Sequence, residues 1–205
     1  MDYLSVILFA VATCVTPGPN NVMLMSSGVN FGISRTMRHV IGINVGFPLM
    51  LIVVGWGAGA LFSEYPIFHA ILRVVSIGYL IYLAYGVANS PIADLNDKSG
   101  SPLGVINAAF FQWVNPKAWI MCIGAVSAYT NPSNSYYFQV VLIAFIFFIF
   151  GTPCSLLWVF FGNFLKKFLN RPNALRIFNI TMGILLMVSL LPEIFELYKS
   201  TGGML

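Results

Sequence analysis

Long apolar stretches separated by short polar segments dominate the sequence, and six of them approach the length of a membrane span. They cover residues 4–26, 40–62, 67–89, 104–128, 136–162 and 174–194. An α-helix needs roughly 20 residues to cross a bilayer. Because the hydrophobicity is continuous, without the alternation typical of a membrane β-barrel, the pattern predicts an all-α polytopic membrane protein with six transmembrane helices.

Prolines interrupt the first and fourth stretches, at Thr16–Asn21 (TPGPNN) and at Asn115–Pro116. Proline removes a backbone donor and restricts the preceding residue, so the two prolines around Gly18 break a helix rather than bend it. The freed backbone groups must face protein, a cavity or a ligand, because lipid offers them no hydrogen bonds. A new helix starting at Pro19 would present free N–H groups and a positive dipole end to an anion such as a carboxylate.

Matching motifs occur in the same order in the two halves of the sequence. Gly46-Phe47-Pro48-Leu49 is matched by Gly151-Thr152-Pro153-Cys154, and Gly78-Tyr79-Leu80 is matched at the same separation by Gly183-Ile184-Leu185. Each half has three helices, an odd number, so the second half enters the bilayer from the opposite face. This predicts two inverted three-helix repeats, a plan common among secondary transporters. The alternative is coincidence, since Gly and Pro are frequent in membrane helices.

The chain is expected to form one membrane domain rather than several domains. The only long polar linker, residues 90–103, divides it into two halves, at about 1–90 and 104–205. Each half begins with an interrupted helix, helix 1 in the first and helix 4 in the second. Only 8% of the residues are charged and 59% are hydrophobic, whereas a soluble domain carries about 25% charged residues. We therefore predict a single transmembrane transporter domain over residues 1–205, and water-soluble classes are excluded.

The distribution of basic residues predicts an orientation in the membrane. The formal net charge of +4 does not indicate nucleic-acid binding, because these residues lie mainly in the loops. The loops after helices 1, 3 and 5 hold Arg35, Arg38, Lys98, Lys166, Lys167, Arg171 and Arg176, and the opposite side holds Arg73 and Lys199. Positive loops stay in the cytoplasm, so both termini are expected outside it. Asp2 in place of a basic segment argues against a signal peptide.

Lys117 is the most informative single residue, because it follows Pro116 well inside the fourth stretch. A lysine at the bilayer centre costs about 2.5–3.5 kcal/mol on insertion scales. No acidic residue is placed to neutralise it, because every Asp and Glu lies in a loop or at the end of a predicted helix. We interpret Lys117 as a group that awaits an anion or changes its protonation state. The alternative is that it extends to a helix end or pairs with a backbone carbonyl.

Polar side chains near the two interruptions complete the candidate site. Some would only satisfy the broken backbone, and others could bind an ammonium group; the sequence does not separate these roles. The candidate substrate-binding residues are Thr16, Pro17, Gly18, Pro19, Asn20, Asn21, Asn44, Gln112, Asn115, Pro116 and Lys117. No catalytic residue, metal ligand or cofactor is expected.

Other residues are given structural roles. Thr152 and Ser155 are expected to bond carbonyls freed by Pro153, and His39 is expected to lie at the membrane interface. The three cysteines, Cys14, Cys122 and Cys154, have no CxxC spacing and are interpreted as small buried hydrophobes. Glycine pairs at 28/32, 42/46 and 55/59 indicate close packing within the bundle, the alternative being a homodimer seam.

These motifs resemble those of the LysE/RhtB amino-acid exporters over almost the whole chain. TPGPNN followed by Gly32 and Arg35 resembles their first half, Gly78–Ala84 (GYLIYLA) their third helix, and Asn115–Ala118 (NPKA) their fourth. The resemblance implies efflux of amino acids across the bacterial inner membrane, linked to the proton-motive force. The TPGPNN form is nearest to the branch that includes cysteine/O-acetylserine exporters.

The absence of an intramembrane carboxylate narrows the expected substrate to a small neutral amino acid or derivative. Its carboxylate would bind near Lys117 and the helix start after Pro19, with alternating access by rocking of the two halves. One alternative is a thiol-redox carrier that uses Cys14 and Cys122. Another is a metal-ion exporter, which lacks the Asp, Glu or His cluster that it would need. No paired Asp, HExxH or GxSxG motif indicates an enzyme.

Overall fold

Helices account for all of the regular structure in the described part of the chain. The computed structural model describes residues 2–58, 64, 66–90, 100–131, 135–169, 171–191 and 194–195. The α-helices are α1 (Tyr3–Val15), α2 (Pro19–Val53), α3 (Pro66–Ala88), α4 (Val105–Val114), α5 (Pro116–Tyr129), α6 (Tyr136–Leu165) and α7 (Pro172–Val188), and a π-helical turn, Val54–Ala58, follows α2. The all-α class is confirmed for these residues.

Both expected interruptions are present. Helix α1 ends at Val15 and α2 begins at Pro19, with Gly18 in an extended conformation between them. Helix α4 ends at Val114 and α5 begins at Pro116, separated by the extended residue Asn115. In each case proline occupies the first position of the second helix, where its missing N–H and fixed φ cost least. The two halves of each broken segment therefore have separate helix termini in the middle of the apolar sequence.

The polar stretch expected to be a loop between the first two apolar segments is instead helical, so that boundary was wrong. Helix α2 runs for 35 residues, roughly 52 Å at about 1.5 Å per residue. It changes direction at Gly32, whose φ of 75° is accessible to glycine at little cost. Asn30 donates to the Ser26 carbonyl at 2.9 Å and Thr36 to the Gly32 carbonyl at 2.7 Å, so polar side chains bond within the helix on both sides of the kink.

The lengths and surfaces of the helices are those of a helical membrane protein. Among the residues whose side chains are described, two apolar helices, Pro19–Gly57 and Tyr136–Leu165, are long enough to cross a membrane. Shorter apolar helical stretches lie at Tyr3–Val15, Val74–Ala88, Val105–Val114 and Pro172–Val188. Large apolar side chains on several helices point outward, among them Leu4, Leu8, Ile106, Phe145, Phe160 and Ile184. The end of the stretch 40–62, most of the linker 90–103, Lys98 and Lys199 lie outside the described residues.

Helices α2 and α6 form the centre of the bundle, and glycines let them approach closely. A Cβ on Gly28 would lie 2.5 Å from the Val159 carbonyl oxygen, and a Cβ on Gly46 would lie 2.5 Å from Cα of Ala109 in α4. The expected glycine packing within the bundle is therefore present at these positions. His39, interpreted from the sequence as a residue at a helix end, lies inside α2, and its side chain is fully buried beside Ser27.

Replacing Gly28 tests the close crossing of α2 and α6. Gly28→Ala should lower the free energy of unfolding by about 1–3 kcal/mol, the usual cost of overpacking, because its Cβ would meet the Val159 backbone. The matched control is Gly78→Ala in α3, where a Cβ would meet nothing within 4 Å. Thermal unfolding of both variants in detergent is the measurement. Equal melting temperatures for the two variants would contradict this packing.

Candidate functional site

The two interruptions meet at Lys117, which lies in the first turn of α5. Its ammonium group donates to the carbonyl and the hydroxyl of Thr16, both at 2.8 Å, and to the carbonyl of Pro17 at 3.3 Å. A Cβ on Gly18 would lie 2.7 Å from Cδ of the same lysine. The side chain of Lys117 thus crosses the gap between α1 and α2, and a Cβ at position 18 would force it to shift.

The partners of the Lys117 ammonium in this structure are uncharged. They lie just beyond α1, whose last turn carries the negative end of the helix dipole. Backbone carbonyls, the alternative partners considered from the sequence, are therefore the groups that it contacts. No Asp or Glu is among the described residues that line the surrounding cavity. A protonated Lys117 would therefore be stabilised by these dipoles, with no carboxylate among the described lining residues to neutralise it.

The helix termini at the two interruptions differ in their capping. Asn115 caps α5, because its side-chain oxygen accepts from the Lys117 backbone N–H at 3.1 Å. Helix α2 has Gly18 as its N-cap and no side-chain cap. Its first backbone bond runs from Val22 N–H to the Gly18 carbonyl at 2.9 Å. The N–H groups of Asn20 and Asn21 precede that bond and have no acceptor within the helix.

Amide side chains connect the interruptions and satisfy the broken backbone. Asn20 and Gln112 exchange two hydrogen bonds, at 2.8 and 3.2 Å, which join the start of α2 to the end of α4. Asn21 donates to the carbonyls of Cys14 and Thr16 at 2.8 and 2.7 Å. The nitrogen of the Asn21 amide therefore has a structural role, and its oxygen is left as an acceptor at the site.

A cavity of about 50 Å³ opens beside these groups. One water molecule needs roughly 10–15 Å³, so the space suits a small solute. Of the residues predicted from the sequence, those that line it are Gly18, Asn20, Asn21, Asn44, Asn115 and Lys117. Thr16 and Pro17 contact Lys117, and Gln112 contacts Asn20. Pro19 and Pro116 begin α2 and α5 and are not among the lining residues.

Several lining residues were missed from the sequence or were assigned only to packing. They are Thr13, Cys14, Ile43, Phe47, Pro48, Ala118, Met121, Phe147, Gly151 and Ser155. Phe47, Pro48 and Gly151 belong to the repeated motifs, which were the signal that could have identified them. Thr152 donates to the Phe148 carbonyl, one turn earlier in α6, and not to the Ile149 carbonyl that Pro153 leaves without its usual donor. Ser155 does not bond a freed carbonyl; its hydroxyl lies 3.4 Å from the side-chain oxygen of Asn44.

Comparisons with known proteins place these motifs in a family. The model of the LysE type translocator family matches residues 11–189. The cysteine/O-acetylserine efflux protein of Salmonella typhimurium (strain LT2) is 28% identical over 162 residues, 78% of this chain and 81% of that protein. The protein of the same description from Escherichia coli (strain K12) is 25% identical over 181 residues, 87% of this chain and 90% of that protein. No solved structure matches the chain.

The family match spans both interruptions and the Lys117 contact between them. It also includes every candidate substrate-binding residue predicted from the sequence, from Thr16 to Lys117. Because the matched region covers most of the 205 residues, the chain belongs to the LysE type translocator family.

Proposed function

We propose that this protein is an inner-membrane secondary transporter that exports a small neutral amino acid or derivative. The observation that carries the proposal is the convergence of Lys117 and the uncapped start of α2 on a cavity whose described lining residues include no carboxylate. The relatives described as cysteine/O-acetylserine efflux proteins support an amino-acid substrate. They favour this function over the thiol-redox carrier and the metal-ion exporter considered from the sequence.

The substrate carboxylate would bind between Lys117 and the first N–H groups of α2. Helix N-termini favour anions through their free donors and the helix dipole. Of the two termini at the interruptions, α5 is capped by Asn115 whereas α2 has no side-chain cap. The carbonyls of Thr16 and Pro17 hold the ammonium group in place in this structure. A carboxylate would replace these neutral partners with an oppositely charged one, which adds a Coulomb attraction to the hydrogen bond.

The substrate ammonium group would bind to amide oxygens. The Asn44 nitrogen donates to the Val40 carbonyl at 2.9 Å, which leaves its oxygen toward Ser155 and the cavity. The Asn21 oxygen is similarly available. A lysine or arginine substrate would bring a second positive charge into a site already occupied by Lys117, with no carboxylate to balance it. The electrostatics therefore favour substrates with uncharged side chains.

Alternating access by rocking of two inverted repeats is supported by the packing between the halves. Gly46 in α2 packs against Ala109 of α4, and its repeat partner Gly151 in α6 faces Cys14 of α1. Each matched glycine thus contacts the first piece of the broken helix in the opposite half. Such a site between the repeats could be opened alternately to the two sides as one half moves against the other.

Lys117 is the group that would couple transport to the proton gradient or bind the carboxylate. Lys117→Met should abolish gradient-driven export, because methionine keeps much of the length but loses the charge. Lys117→Arg keeps a charge that cannot be released at neutral pH, so it should retain substrate exchange and lose gradient-driven export if Lys117 carries the proton. Transport in proteoliposomes with and without a pH gradient distinguishes these outcomes. Lys167→Met, at an exposed lysine, is the control, and full activity in Lys117→Met would remove Lys117 from the mechanism.

The substrate class is tested by exchange of radiolabelled amino acids in proteoliposomes. Cysteine, serine and other small neutral amino acids should exchange at least about 10-fold faster than lysine or arginine, since an unpaired buried charge costs several kcal/mol. The measurement is the initial rate for each amino acid at equal concentration. A preference for lysine would show that the carboxylate-free cavity does not determine selectivity.

The orientation follows from the excess of basic residues in the loops after the first, third and fifth apolar stretches. We expect both termini outside the cytoplasm. Fusions of alkaline phosphatase and of a fluorescent protein to each terminus are the measurement, because each reporter is active on only one side. Phosphatase activity at both ends is the expected result, and fluorescence at both ends would reverse the orientation.

A further inference from the structure

We infer that Gly151 and the ring pair Phe47–Phe147 set the maximum size of the substrate side chain. This inference rests on the proposed function and assigns specificity within the same cavity. All three residues line the cavity. The inference starts from the order of the lining side chains. On each of three helices, polar side chains lie toward one end of the cavity and apolar side chains toward the other.

Helix α6 shows the change most clearly. Phe147, Gly151 and Ser155 are spaced four residues apart, so they follow one another along one face of the helix. With a rise of about 1.5 Å per residue they cover about 12 Å. Ser155 lies at the polar end beside Asn44, and Phe147 lies in the apolar core. Gly151 is between them and presents no side chain.

The same order occurs on the two helices that face α6 across the cavity. On α2, Asn44 is followed along the helix by Phe47 and Pro48. On α5, Lys117 is followed one turn later by Met121. The polar groups of all three helices are therefore at one end of the cavity and their apolar groups are at the other. An amino acid bound by its charged groups at the polar end must direct its side chain toward Phe47, Met121 and Phe147.

The aromatic pair closes the apolar end. The rings of Phe47 and Phe147 have centroids 5.1 Å apart, and Phe9 packs edge-on against Phe147 at 6.2 Å. Phe147 is 2% exposed and Phe47 is 7% exposed, so neither ring is free to move into open space. A longer substrate side chain would have to displace one of them.

Gly151 controls the width of the cavity at the point between its polar end and the aromatic pair. A Cβ added there would lie 3.3 Å from the Cys14 sulfur and 3.7 Å from the Asn44 side-chain oxygen, and no backbone atom is among its nearest neighbours. An alanine would thus fit with only small shifts, and it would occupy space that now belongs to the cavity. This makes position 151 suitable for narrowing the cavity without breaking the helix packing.

The experiment compares exchange rates of glycine, alanine, cysteine, valine and leucine in proteoliposomes containing the full-length protein. Gly151→Ala should lower the valine-to-alanine rate ratio, and Phe147→Ala should raise the leucine-to-alanine ratio, each by about 10-fold or more, as expected for one or more methylene groups in a pocket. Met121→Ala is a second enlarging variant in case Phe147→Ala does not fold. The matched controls are Gly78→Ala, in open space on α3, and Phe145→Ala, on the outer surface of α6.

Opposite changes of selectivity in the narrowing and the enlarging variants, with unchanged ratios in the controls, would support the inference. Equal loss of transport for all five amino acids in Gly151→Ala, with no gain for leucine in either enlarging variant, would overturn it while leaving the proposed function intact. Absence of amino-acid exchange by the unaltered protein would overturn the proposed function and this inference with it.

Discussion

The contact between Lys117 and the carbonyl oxygens of Thr16 and Pro17 joins the two interruptions. Breaking a helix inside a bilayer leaves backbone groups that lipid cannot satisfy. Here an ammonium from the second broken segment satisfies carbonyls of the first, and the reciprocal pair Asn20–Gln112 adds a second link. The same hydrogen bonds therefore satisfy both the buried lysine and the carbonyls at the end of the broken helix.

The two interruptions are similar in sequence but differ in what they offer to a ligand. Asn115 uses its side chain to cap α5, so the donors of that helix are occupied. Gly18 has no side chain with which to cap α2, and its lack of a Cβ also admits the stem of Lys117. In the proposed mechanism, the glycine at position 18 therefore leaves backbone donors free for an anion and places Lys117 beside them. This asymmetry fixes the orientation of a zwitterion in the proposed mechanism, with its carboxylate at the start of α2.

Two kinds of contact surround the cavity: close helix packing at glycines and hydrogen bonds between polar side chains. Glycines let the backbones of α2, α4 and α6 approach each other, and these contacts leave little freedom. In the proposed mechanism, by contrast, the hydrogen bonds of Lys117 and of the Asn20–Gln112 pair would be exchanged for bonds to a substrate. A transporter of this kind needs both properties, because differential binding to two conformations is what allows a ligand to shift their equilibrium.

Much of this architecture follows from local sequence. Continuous apolar stretches determine the helical class, the prolines determine the two interruptions, and an unneutralised lysine beside a proline identifies the centre of the site. Local sequence does not reveal that α2 continues through a polar stretch and turns at Gly32, because that depends on side-chain bonds and on packing against α6. The apolar wall of the cavity, with Phe47, Met121 and Phe147, was also decided by tertiary structure. A phenylalanine on a membrane helix looks the same in sequence whether it faces lipid, the core or a ligand, since all three surroundings favour an apolar side chain.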